Sequence, residues 1–145
     1  MESPGYVLWQ LTHAMQQRMT TALDELSLNL PQLGTLVHLA RDEAVSTADL
    51  ARLTLMTPQN MSLTVSKLKA AGYLVSHPHE VHGRINRLEL TPAGVRTLRR
   101  AIARVTAVED EMLRQVPAAG RKALTHLLRD CLANLKVAKA ARSPS

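Results

Sequence analysis

Apolar residues recur at helical spacing along most of the chain, and that period is interrupted only once, past its middle. Leu8, Leu11, Met15, Met19, Ala22 and Leu26 stand three and four apart, one stripe of a helix over residues 5–26. Tyr6, Trp9 and His13 recur at the same spacing on the other side. A helix apolar on two sides serves two partners, its own domain and a second chain. A second helix starts near Pro31, since proline suits the first helical position. It turns Leu33, Leu36, Val37 and Ala40 inward. Ser46 caps a short third helix, with Asp49 in the place of a capping-box acid and Leu50, Ala51 and Leu53 as its apolar residues. Thr57-Pro58 opens a fourth helix with Met61, Val65 and Leu68 inward and Gly72 as its C-cap.

Then the period shortens. Tyr73–Val75 and Arg87–Leu90 read as short strands, and His77–Arg84 between them is polar, with Pro78 and Gly83. Two strands around a polar tip predict a hairpin. Thr91-Pro92 repeats the cap-plus-proline start for a long helix. There Val95, Leu98, Ile102, Val105 and Met112 nearly keep a heptad, as a helix packed on another helix would. Pro117 opens a last helix with Leu124, Leu127, Leu128, Cys131, Leu132 and Leu135 along one side. Residues 137–145 are small and basic and predict a mobile tail.

Composition narrows this further. A chain of 145 residues predicts one domain, and 46% apolar residues suffice for a core. Only 2% are aromatic and none is Phe, so the core is Leu, Val, Ala and Met, which favours helices over a sandwich or barrel. The methionines at helical spacing, Met15, Met19, Met56 and Met61, fit that core. One cysteine excludes an internal disulfide framework and the usual zinc-finger ligand sets. No apolar run reaches the roughly 20 residues of a membrane span. Met1-Glu2-Ser3-Pro4 has no basic signal-peptide start, so the expected compartment is the cytoplasm.

The net charge is +6, and its placement matters more than its size. Residues 1–56 carry three arginines against six carboxylates. Residues 57–104 carry eight Lys and Arg against two carboxylates, and residues 105–145 carry seven against four. A basic centre between less basic flanks is the footprint of a surface that meets a polyanion, or else a solvated face on a basic protein.

Two short helices, the second capped and basic, followed by a hairpin form a winged helix-turn-helix. The fold class is thus mainly α with a small β-hairpin wing. The second helix of such a motif enters the major groove. Its outward residues here are Gln59, Asn60, Ser62, Leu63, Ser66 and Lys67, and Thr57 caps its start. Gln and Asn pair bidentately with adenine, Leu touches a thymine methyl, and Ser, Thr and Lys hold phosphate. An ordinary polar surface helix would show much of the same pattern.

Leu30-Pro31-Gln32, the run Leu68-Lys69-Ala70-Ala71-Gly72-Tyr73-Leu74, and above all Gly83-Arg84-Ile85-Asn86-Arg87-Leu88-Glu89-Leu90-Thr91-Pro92-Ala93-Gly94 resemble the MarR family of bacterial transcription regulators. The resemblance spans about residues 5–136. It implies a homodimer joined through the N- and C-terminal helices, here 5–29 and 92–136, around a DNA-binding lobe at 30–91, all within one domain, 1–145. It implies a palindromic double-stranded DNA site, repression, and sensing of a small aromatic or phenolic ligand between the dimer helices and the lobe. Arg84 carries over as the wing residue that enters the minor groove. The acidic residue that usually stands two before it is His82 here. Leu63 stands where many members have Arg, which implies readout less directed at guanine.

Other chemistry is thin. Trp9, His13 and His38 are the candidates to line a ligand crevice, with Arg18 or another cation facing a carboxylate. Alternatively Tyr6 and Trp9 pack on a partner subunit. His77, His79 and His82 crowd the hairpin, and three histidines are a zinc set. No cysteine or carboxylate pair supports them, so no metal is expected. Cys131 falls in an apolar stripe, where a buried thiol is inert packing. No phosphate loop, nucleophile motif or carboxylate pair marks an enzyme, and no cofactor is expected. The alternatives are an architectural DNA-binding protein with little sequence preference, a protein-binding winged helix, and a metal- or redox-responsive regulator.

Overall fold

A computed structural model describes residues 2–42, 46–78 and 86–141. The element order is α1 (Pro4–Asp24), α2 (Leu30–Ala40), α3 (Thr47–Thr54), α4 (Pro58–Ala70), β1 (Leu74–Pro78), β2 (Asn86–Leu90), α5 (Pro92–Met112) and α6 (Ala118–Ala141). These pack as two units, Met1–Val108 and Glu109–Ser145. Among the described residues no helix is long and apolar enough to cross a membrane.

In the first unit, side-chain caps set most helix starts. Ser3 accepts from the Tyr6 amide at 3.2 Å, Ser46 from Asp49 at 3.1 Å and Thr57 from Asn60 at 3.2 Å. The start of α2 is a reciprocal capping box. Asn29 Oδ1 accepts from the Gln32 amide, and Gln32 Oε1 accepts from the Asn29 amide, both at 2.9 Å. Two orphan donors are thereby satisfied. The proline signal places this helix at Pro31; the box begins it at Leu30. Left-handed residues follow α1, α2, α3 and α4, at Ser27, Asp42, Leu55 and Gly72. At Gly72 the closure is a Schellman motif. Its amide donates to Lys69 at 2.9 Å and that of Tyr73 donates to Leu68 at 2.9 Å.

The core of this unit is almost all leucine. Leu23, Leu36, Leu50, Met61 and Leu68 are fully enclosed, and Leu26, Leu28, Leu33, Leu39, Val65, Leu74 and Leu88 surround them. Thr35 is also fully buried. Its hydroxyl donates to Pro31 O at 2.9 Å and lies 3.6 Å from Met61 Sδ, a polar contact between α2 and α4. Ala40, expected on the core face of α2, is exposed, and so are Leu8, Leu53 and Ile102 of the apolar stripes. The converse holds at Leu98 and Ala101. Both are buried within the unit, so they pack on their own lobe.

The hairpin is antiparallel, with Leu74 opposite Leu90, Ser76 opposite Leu88 and His77 opposite Arg87. Both strands are longer than the sequence pattern predicts. One face puts Leu74 and Leu88 into the core, and the other exposes Val75, His77, Arg87 and Glu89. Thr91 joins this wing to α5. Its amide donates to Tyr73 O at 3.0 Å, its hydroxyl donates to Gly72 O at 2.6 Å, and the same hydroxyl accepts from the Gly94 amide at 3.0 Å.

In the second unit Arg121 fastens the turn before α6. Its guanidinium donates to Val116 O and Leu113 O, each at 2.9 Å. The apolar stripe of α6 is as read from the sequence, but it is uncovered: Leu127, Leu128, Leu132 and Leu135 are exposed. Cys131 is exposed too, which corrects its reading as a buried thiol: the stripe it sits on has no cover within its unit. Helical backbone continues through Ala141, past residue 137, where composition predicts a tail.

Candidate nucleic-acid interface

Helix α4 has thirteen residues and two distinct faces. Met61, Thr64, Val65 and Leu68 point inward and are buried. Thr57, Gln59, Asn60, Ser62, Leu63, Ser66 and Lys67, the candidates read from the sequence, are all exposed. Burial of the inner face fixes the rotation of the helix, and that rotation brings these side chains to one solvent surface. Leu63 is 61% exposed, a large apolar side chain on that solvent surface. Thr64 joins the inward set because its hydroxyl donates to Asn60 O at 3.0 Å, four residues back. That bond satisfies the group locally, so a threonine can face the core.

The start of α4 is well formed for anion contact. Thr57 satisfies one amide of the first turn, Pro58 has none to offer, and no acidic residue stands in that turn. The remaining amides and the positive end of the helix dipole face outward. Lys67 and Lys69 sit in the last turn, where they also complement the negative end.

The outer face of the wing carries a side-chain contact that sequence reading missed. His77 Nε2 lies 3.1 Å from a Glu89 carboxylate oxygen, and Arg87 is the cross-strand neighbour of His77. The signal was the alternation of Arg87 and Glu89 with Leu88 and Leu90, which puts the two charges on one face. Arg84, the expected minor-groove residue, lies outside the described residues, as do His79 and His82. Among the described residues no group of three or more His, Cys, Asp or Glu is placed to hold a metal ion.

The ligand candidates fall on two helices. On α1 the Tyr6 and Trp9 rings stack with centroids 6.1 Å apart, and Trp9 and His13 stack at the same spacing, 8° from parallel. His13 Nε2 is 3.2 Å from Gln17 Nε2. This ring ladder is open to solvent, with Trp9 65% exposed. Below it a shallow groove is lined by His13, Gln16, Gln17, Arg18, Thr20 and Thr21. The groove takes in His13 and Arg18 but neither Trp9 nor His38. His38 is half-buried near the end of α2.

A capped polar helix presented by a helix pair, with an antiparallel wing beside it, defines a winged helix-turn-helix protein. The chain belongs to the MarR family. The family model, described as MarR family, matches residues 26–85. The HTH-type transcriptional repressor Rv2887 of Mycobacterium tuberculosis is 30% identical over 124 residues, which cover 86% of this chain and 89% of the repressor. Two solved structures of that M. tuberculosis MarR family protein are similar throughout. Its complex with DNA superimposes with a TM-score of 0.78 at 27% identity, covering 90% of this chain and 98% of that one. Its complex with salicylic acid gives a TM-score of 0.73 at 28% identity, covering 90% and 97%.

Proposed function

We propose that this protein is a cytoplasmic, sequence-specific double-stranded DNA-binding transcription regulator, a repressor that acts as a homodimer and is not an enzyme. The observation that carries the reading is the outward face of α4, where seven DNA-competent side chains, Thr57 to Lys67, stand clear of the core on a helix with a free positive end. In this reading Gln59 and Asn60 read base edges, Leu63 meets a thymine methyl, and Thr57, Ser62, Ser66 and Lys67 hold phosphates. Arg84 at the wing enters the minor groove. Residues 30–91 are the DNA-binding lobe, and 5–29 and 92–136 are the dimerisation helices, whose uncovered apolar residues on α1 and α6 call for a partner. The M. tuberculosis relative, named a repressor and solved with DNA, supports the same role.

The DNA affinity of the protein responds to a small aromatic acid. The salicylic acid complex of the relative supports this, together with Trp9, His13 and His38 as the ring-bearing candidates and Arg18 as the cation. Such a ligand acts only by binding the DNA-incompetent form better than the competent one.

The decisive experiment is selection of bound fragments from a random duplex pool. A palindrome with half-site centres roughly 34–36 Å apart is expected for a two-fold dimer. Recovery of unrelated fragments with equal affinity would replace the regulator by an architectural protein, and recovery of none would end the DNA-binding reading.

A further inference from the structure

Leu55, in the turn between α3 and α4, is 92% exposed and has φ +56°: its backbone caps α3, but its side chain packs on nothing. Left-handed backbone disfavours any residue with a Cβ, and Gly or Asn fits there best. Of the non-glycine residues described with positive φ, the other two are Ser27 and Asp42, both small and polar. Burial does not compensate Leu55 either. Its neighbour Met56 packs on the core and closes the turn through an amide bond to Ala51 O at 3.1 Å, which needs only the Leu55 backbone.

We propose that Leu55 is a further specificity-determining residue that contacts a thymine methyl in the major groove. The inference rests on the DNA-binding reading of α4. Leu55 lies two residues before Thr57, the cap of α4, so its Cα is within about 7 Å of that cap. It therefore sits at the end of α4 that carries Thr57, Gln59 and Asn60. An aliphatic side chain gains nothing at a phosphate, whereas the thymine C5-methyl is an apolar group on the base edges of that groove. With Leu63 also exposed on α4, the surface offers two apolar side chains amid polar ones. Cost to the fold with no return inside it is the pattern of a functional residue.

The test uses the full-length protein and a duplex that it selects from a random pool. Leu55→Asn keeps the left-handed turn and removes the apolar group. It is expected to hold or raise the Tm and to weaken binding about fourfold for each thymine methyl left uncovered. Replacing thymines one at a time by deoxyuridine, which lacks the methyl, identifies the partner. At one position per half-site the replacement is expected to weaken the wild type by a similar factor and to leave Leu55→Asn unaffected. A variant that binds like the wild type overturns the proposal, as does a loss that is equal on every substituted duplex. A lower Tm would assign Leu55 to the fold instead. If the wild type selects no duplex at all, the underlying DNA-binding reading fails, a result distinct from any of these.

Discussion

A Cβ on Gly94 would fall on the carbonyl oxygen of Tyr73, with the carbonyl carbon 3.1 Å away. The first turn of α5 therefore lies directly against the end of the α4 turn, and only a residue without a side chain fits. Gly94→Ala must push backbone against backbone and is expected to cost about 1–3 kcal/mol, as overpacking does. Gly34, in the middle of α2, is the control. A Cβ there meets nothing within 4 Å, so Gly34→Ala is expected to stabilise by about 0.5–1 kcal/mol through helix propensity. Urea unfolding of the two variants should give midpoints on opposite sides of the wild type.

The dimer is tested on α6. Leu128→Glu and Leu132→Glu alter exposed residues, so each should leave the lobe folded and shift sedimentation toward the monomer. Leu98→Ala is a core change, since Leu98 is buried beside Ala101. It is expected to cost about 2–5 kcal/mol of stability while the dimer persists. Sedimentation of Leu132→Glu as an unchanged dimer at micromolar concentration would place the interface elsewhere.

Two residues of α4 separate reading from holding. Asn60→Ala should cost about 1–3 kcal/mol at one base pair and relax preference there. Lys67→Ala should weaken every duplex alike and make the salt dependence shallower by about one phosphate per subunit. Arg84→Ala should behave like the lysine change with a bias toward A·T-rich flanks, because a narrow minor groove attracts arginine. Affinities on matched and scrambled duplexes at two salt concentrations distinguish the three.

Trp9 is the sole tryptophan, so its emission reports one place on α1. Salicylic acid is expected to change that emission saturably and to weaken DNA binding over the same concentration range. Arg18→Ala should weaken the response if that cation holds the carboxylate. An unchanged spectrum with unchanged DNA affinity would remove aromatic acids from the proposal.

Much of the fold was legible because its helix starts are written in local chemistry. Ser46, Thr57 and the prolines at 31, 58 and 92 each mark an end that is decided within a few residues. The outward face of α4 followed from periodicity once Met61, Val65 and Leu68 were set inward. What periodicity missed depends on neighbours distant in sequence. Nothing in the pattern around Thr35 marks it for the core, where α4 brings Met61 beside it. Leu98 stands in the near-heptad of a helix packed on another helix, yet it belongs to the core of its own lobe. The groove along Gln16 to Thr21 was illegible for the opposite reason: polar residues on an exposed helix face carry no pattern.

The uncovered leucines of α6 make protein concentration part of the fold. In the proposed dimer the stability gained by covering them grows with the amount of chain present, since association and folding are linked by mass action. The melting temperature should therefore climb on concentrating the protein. In a cell, chains too dilute to pair would present Leu127, Leu132 and Leu135 to proteases and chaperones. A dimer built this way sets a lower threshold on its own dosage: the species that persists is the paired one, and paired subunits are what a two-fold DNA site requires.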